Sequence, residues 1–83
     1  MYGNRATFKC IGIGKRRQGT SQYGAYDFIP VSFAFQDPDY QGHRVAEFAF
    51  SPQEMPKDMA VGVEFDVVYH FQKGKLRIDA ILG

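Results

Sequence analysis

Apolar and polar residues alternate with a period of two through most of this chain, and nowhere do they hold a helical period for longer than one turn. The clearest case is Val61 to Phe71, where Val61, Val63, Phe65, Val67, Tyr69 and Phe71 alternate with Gly62, Glu64, Asp66, Val68 and His70. That is the mark of a half-buried strand. Tyr26 to Phe35 reads as another strand, with Ile29, Val31, Phe33 and Phe35 on the core face and Tyr26, Phe28, Ser32 and Ala34 opposite. Pro30 has no N–H to give, so this strand is expected to bend, bulge or lie at an edge there. Arg44 to Phe50 sets Phe48 and Phe50 against Val45, Glu47 and Ala49, and Leu76 to Leu82 is apolar at its even positions. The first strand, residues 5–14, slips phase. Phe8 and Cys10 share one side, Ile11 and Ile13 the other, which predicts a bulge near Cys10 or Gly12.

The connections are read from turn chemistry. Asp37 to Gly42 is a turn on composition, and Gln72-Lys73-Gly74-Lys75 is a hairpin turn in which Gly74 can adopt positive φ. Ser51-Pro52-Gln53-Glu54 has the form of a capping box for one helical turn, which Pro56 prevents from growing. Five strands, one short connector and no helix of useful length predict an all-β domain over residues 1–83. The expected architecture is a small five-stranded OB-like barrel, with an SH3-like barrel as the other arrangement.

One stretch does not fit a core. Lys15-Arg16-Arg17 runs into Gln18-Gly19-Thr20-Ser21-Gln22, then returns through Tyr23-Gly24-Ala25-Tyr26 into the second strand. Both arms look extended, so the stretch predicts a protruding β-hairpin wing with a basic, aromatic tip. Cations attract phosphates and aromatic rings accept nucleobases, so an unpaired nucleic-acid strand suits such a wing. A merely solvated hairpin tip is the alternative.

Composition bounds these expectations. In 83 residues the chain has eight Phe and five Tyr but no Trp, more rings than so small a core needs. Some are therefore expected at a surface that meets a ligand or a second copy of the chain. The net charge of +1 conceals segregation: the only charged residues up to Tyr26 are Arg5, Lys9, Lys15, Arg16 and Arg17, and the middle of the chain is acidic. Lys73, Lys75 and Arg77 make the end basic again. If both basic ends share a face, they form a positive stripe that attracts a polyanion. The single cysteine, Cys10, excludes an internal disulfide and reads as a small core residue in a reducing compartment. No apolar run reaches the roughly 20 residues of a membrane span. A cytoplasmic protein with no membrane association is expected.

Catalytic chemistry is not legible. His43 and His70 stand apart from any metal-ligand spacing, and Glu64 and Asp66 read as a solvated strand face. Gly12-Ile13-Gly14-Lys15 lacks the spacing and the following helix of a phosphate loop. The expectation is a non-enzymatic protein with no cofactor, no metal and no small-molecule substrate. The candidate nucleic-acid contacts are Lys15, Arg16, Arg17, Tyr23, Tyr26 and Phe28 from the wing, and Lys73, Lys75 and Arg77 from the last hairpin beside Tyr69 and Phe71. Stacking supplies roughly 1–3 kcal/mol per base. Five or six phosphate contacts give a salt slope of about −4. Tyr69 and Phe71 also lie in phase with the core, and the pattern leaves open whether they are core or platform.

Arg17-Gln18-Gly19-Thr20-Ser21, then Gly24 and Tyr26-Asp27-Phe28, resembles the wing of the gene V type single-stranded-DNA-binding proteins of filamentous bacteriophages. The ending Gly74-Lys75-Leu76-Arg77-Ile78-Asp79-Ala80-Ile81-Leu82 is similar to that family's last strand. The resemblance implies an OB-fold homodimer that coats single-stranded DNA cooperatively, without sequence preference, during replication. It puts Arg17 and Tyr26 on the DNA, with Arg16 as a neighbour and Phe71 near the family's stacking phenylalanine. Glu47 and Ala80 stand where the family has basic residues. Two other readings stay open from the residues alone: an RNA-binding OB-type module, and a protein-interaction or adaptor domain using its exposed aromatics.

Overall fold

The computed structural model describes residues 3–82. Six strands follow in order: β1 (Asn4–Ile13), β2 (Arg17–Ser21), β3 (Gly24–Gln36), β4 (His43–Phe50), β5 (Glu64–Gln72) and β6 (Lys75–Ile81). Every hydrogen-bonded pair is antiparallel, and five strands run side by side as β4, β3, β1, β5, β6. The sheet curls into a small barrel-like fold in which β4 comes back against β6. Those two strands point the same way and exchange no ladder, so the barrel is not closed by hydrogen bonds. The expected all-β barrel with its protruding hairpin is what the chain builds. The sixth strand arises because the wing's first arm separates from β1 at residues 14–16.

Alternation places the core. Phe8 and Cys10 from β1, Val31, Phe33 and Phe35 from β3, Phe50 from β4, Phe65, Val67 and Tyr69 from β5 and Leu76 from β6 are all buried. Phe8 is the hub: its ring stacks on Phe35 at 4.1 Å between centroids and tilts against Phe33 and Tyr69. Such aromatic contacts add to the burial of the rings themselves. Cys10 is fully buried, its Sγ 3.8 Å from the Gly12 carbonyl oxygen.

The register departs from simple alternation at three places. The bulge expected in β1 lies between Cys10 and Gly12. It points Ile11 outward and brings Ile13 back opposite the buried Val31, so Ile11 and Ile13 do not share a side as the alternation suggested. In β6, Asp79 is an extra residue, because Tyr69 faces Ile78 while Val68 faces Ala80. The apolar phase shifts there, so Ile81 packs on the core and Leu82 is exposed, against the even-position expectation. At the start of β5, Gly62 has φ of 93°, incompatible with a continuous strand. The strand therefore begins at Glu64 and leaves Val61 exposed.

Turn chemistry acts as expected at Lys73-Gly74, where both residues take positive φ between paired Gln72 and Lys75. This is the two-residue turn whose twist matches that of the flanking strands. Residues 51–59 form turns rather than a helix. The amides of Glu54 and Met55 both bond to the Ser51 carbonyl, but the Ser51 hydroxyl donates to the Glu54 carboxylate instead of capping an amide. Met55 and Met59 pack from this connector onto the core. No helix of the described residues is long and apolar enough to cross a membrane.

Candidate nucleic-acid interface

The wing is a direct continuation of the β1–β3 hairpin. Ile13 faces Val31, the Gly14 amide bonds to the Pro30 carbonyl at 2.8 Å, and Arg17 faces Phe28. The register changes by only one residue across the break, so β2 carries on along the edge of β3 that β1 occupies. Pro30 sits at this junction. Its N and C=O face the same edge, and its missing N–H falls where β1 gives way to β2. The ladder then runs from Arg17 opposite Phe28 to Ser21 opposite Gly24 and closes through Gln22-Tyr23. At the tip the Ser21 hydroxyl accepts from the Tyr23 amide and donates to the Gly24 carbonyl, a side-chain turn that pins the bend.

Among the described residues β2 touches no strand except β3, so they place no second layer behind the wing. Tyr23 is 90% exposed and Tyr26 is 44% exposed. Alternation divides the wing into two faces. Arg17, Gly19, Tyr26 and Phe28 share one of them, with the Tyr26 and Phe28 ring centroids 6.1 Å apart. Asp27 points to the other. There Arg16 donates to both of its carboxylate oxygens, at 2.8 and 2.6 Å. The hydrogen bond from Arg16 holds the Asp27 carboxyl below its ordinary value. The consecutive arginines are therefore unlike: Arg16 is neutralised on one face, whereas Arg17, like Lys15, forms no ion pair among the described residues.

By alternation along β3, the Tyr26–Phe28 face leads onto the outside of the sheet at Ser32, Ala34 and Gln36. A shallow groove of about 820 Å³ crosses that surface between Arg5, Lys9, Ile11, Gln36, His43 and Glu64. Arg5 is tied to Asp66, which lowers the pKa of that carboxyl. Lys9 has no ion-pair partner among the described residues. Lys9 and Ile11 are not among the contacts expected from the sequence. Their signal lay in the outward phase of β1 beside the small Ala34.

The last hairpin lies elsewhere. β1 runs toward the wing and β5 runs back antiparallel to it, with Lys9 facing Glu64 and Asn4 facing Tyr69. The Lys73-Gly74 turn is therefore at the opposite end of a molecule whose longest axis is 38 Å. The single positive stripe envisaged from the sequence does not form within one chain: Lys73, Lys75 and Arg77 do not join Lys15, Arg16 and Arg17. Lys75 and Arg77 instead line a groove of about 600 Å³ along the open seam between β4 and β6, with Arg44, Glu47 and Phe71.

At this far end the aromatic residues are taken up by the fold. Tyr69 is fully buried, which settles it as core. Its hydroxyl has no hydrogen-bond partner within the described residues. Burial, and next the charge of Asp37, raise its pKa. Phe71 is half-buried, and the Arg44 guanidinium lies 3.7 Å from its ring centroid. Arg44 is held in place by buried Asp37 at 3.1 Å and also lies 4.6 Å from the Tyr40 ring centroid. Among the described residues, the ring left exposed here is that of Tyr40, in the turn after β3.

No group of three His, Cys, Asp or Glu side chains gathers as metal ligands do among the described residues. Compared with protein-family models, with curated proteins and with solved structures, the chain matches none.

Proposed function

We propose that this chain is a non-enzymatic single-stranded-DNA-binding protein of the filamentous-phage or prophage type. It coats DNA without regard to sequence, through the Arg17–Tyr26–Phe28 face of the wing with Lys15 and Tyr23 at its margins. The single observation that carries the reading is the exposure of Lys15, Arg17, Tyr23 and Tyr26 on an arm whose β2 meets no strand but β3 among the described residues. Ordering rings in water is unproductive unless something stacks on them, and bases stack on aromatics irrespective of sequence. Unpaired cations beside the rings supply the phosphate contacts. Lys9 and the outer groove extend the path along the sheet. Lys73, Lys75 and Arg77 serve a more distant part of the strand or that of a second protomer, in keeping with a cooperative homodimer in the bacterial cytoplasm.

A fluorescence titration with oligo-dT at two salt concentrations tests the proposal. Binding should weaken with salt, and absence of binding at low salt would end the idea. Tyr26→Ala should lose about 1–3 kcal/mol of affinity with the salt slope nearly unchanged, since a stacked base releases no counterion. Competition between matched DNA and RNA oligomers separates DNA coating from RNA binding. Binding unaffected by either competitor points to a protein-interaction module instead.

A further inference from the structure

Gly19 stands in the middle of β2 with ordinary extended backbone, since the positive-φ glycines are Gly24, Gly42, Gly62 and Gly74. Backbone freedom is therefore not why glycine is there, and glycine weakens a strand interior relative to a residue with a side chain. What needs glycine is space. A Cβ built at Gly19 falls 2.5 Å from the Tyr26 hydroxyl oxygen and 2.7 Å from its Cζ. The two residues are directly paired across the strands, so the Tyr26 ring reaches over β2 and lies against the bare backbone of Gly19.

We infer that Gly19 is a positioning residue: it lets Tyr26 lie flat across the wing as a preset platform for one unpaired base, and so favours single strands over duplex. This rests on the proposed function. The hydroxyl end of the ring lies over Gly19 of β2 while the residue stays 44% exposed, with Arg17 two residues along the same face. Holding the ring down before binding removes rotamer freedom that would otherwise be lost in the complex. A base within a duplex has both of its faces stacked already, so a fixed flat ring gains nothing from it. A side chain at residue 19 lifts the ring without breaking the fold, because the atoms it meets are the far end of a movable side chain.

The test uses Gly19→Val and the milder Gly19→Ala, with two probes: oligo-dT and an abasic oligomer of equal length, which keeps the phosphates and lacks the bases. Gly19→Val should bind oligo-dT about tenfold more weakly, the size of one lost stack. It should bind the abasic strand as the unaltered protein does, with the same salt slope. Its thermal midpoint should hold or rise, because valine suits a strand better than glycine. Gly19→Ala should follow in the same direction. In the Gly19→Val/Tyr26→Ala double variant, affinity should fall no further than in Tyr26→Ala alone.

Equal binding of oligo-dT by Gly19→Val and the unaltered protein, with Tyr26→Ala still impaired, overturns the role given to Gly19. So does a loss of the same size on the abasic strand. Failure of the unaltered protein to bind oligo-dT overturns the functional reading itself, which is a different result. Independently of any ligand, the Gly19 α-protons should be shifted upfield by the Tyr26 ring and return toward ordinary values in Tyr26→Ala. An unshifted signal in the unaltered protein removes the platform.

Discussion

The two hairpins of this molecule are made of the same materials and use them in opposite ways. Each joins cations to rings: Lys15, Arg16, Arg17, Tyr23, Tyr26 and Phe28 at one end, Lys73, Lys75, Arg77, Tyr69 and Phe71 at the other. In the wing Tyr23 and Tyr26 face water and Phe28 at its base is half-buried, because among the described residues β2 pairs with β3 alone. In the β5–β6 hairpin, β5 is flanked on both edges and its inner face lies on the Phe8 cluster, so Tyr69 vanishes into the core. Phe71 is covered by an arginine from a third strand. The chemistry a residue type can offer is thus decided by how many neighbours its strand has. The same aromatic is exposed on an unsupported arm and buried in a supported one.

The contrast is broken most severely at the rings. Tyr69→Ala should destabilise the fold by about 3–5 kcal/mol, as large-to-small changes at fully buried aromatics do. Tyr23→Ala should stay within about 0.5 kcal/mol, the usual range at an exposed position. Chemical denaturation reads both, and equal losses would abolish the distinction. Tyr69→Phe removes a buried hydroxyl with no hydrogen-bond partner among the described residues, so it should be neutral or stabilising by up to about 1 kcal/mol.

The cations sharpen the comparison next. On an oligo-dT too short to span the molecule, Arg17→Ala should make the salt slope shallower by about 0.7, and Arg77→Ala should leave it alone. On a long strand both substitutions should lower it. Loss of slope in Arg77→Ala on the short oligomer would mean that the two ends act as one site after all.

Within the wing, Asp27→Asn should act in the opposite sense. It removes an acid from the arm and releases Arg16, so oligo-dT binding should tighten and the slope steepen by about 0.7. The smallest effect expected is that of pH on stability. Asp27 and Asp66 each have a carboxyl held below its ordinary value, chiefly by the hydrogen bond from Arg16 and from Arg5 respectively. A lowered folded-state value contributes stability that is full above the unfolded value of about 3.9 and is lost as pH falls through the folded one. Both pairs are exposed, so the loss below about pH 4 should be slight. The Asp27→Asn/Asp66→Asn double variant should lack that part of the acid dependence in a melting series.

Much of this was legible in the residues because strands announce themselves by alternation. Val31, Phe33 and Phe35 on β3 and Phe65 and Val67 on β5 were readable as core positions, whereas Tyr69 stayed open between core and platform, and the bulge by Cys10 showed as a slipped phase. The bulge at Asp79 was not readable, since Ile78-Asp79-Ala80-Ile81-Leu82 alternates acceptably in either register and only pairing with β5 selects one. The wing's composition marked it as surface. That Arg16 is neutralised while Arg17 is free depends on Asp27, ten residues further along the chain from Arg17 and brought opposite Gln18 by the ladder. The space over Gly19 likewise exists only because Tyr26 is its cross-strand partner.

Taken alone, the order of residues determined that this chain makes short strands, where they turn, and that one basic, ring-bearing arm cannot be core. These are local matters, set by side-chain period and by the turn preferences of glycine, proline and aspartate. The tertiary structure alone decided that the two basic hairpins lie at opposite ends, that Tyr69 is sealed, and that β4 and β6 meet without bonding. Those outcomes depend on which strands become neighbours and in which direction they run, and contacts between residues far apart in the chain leave no period in the sequence from which to read them.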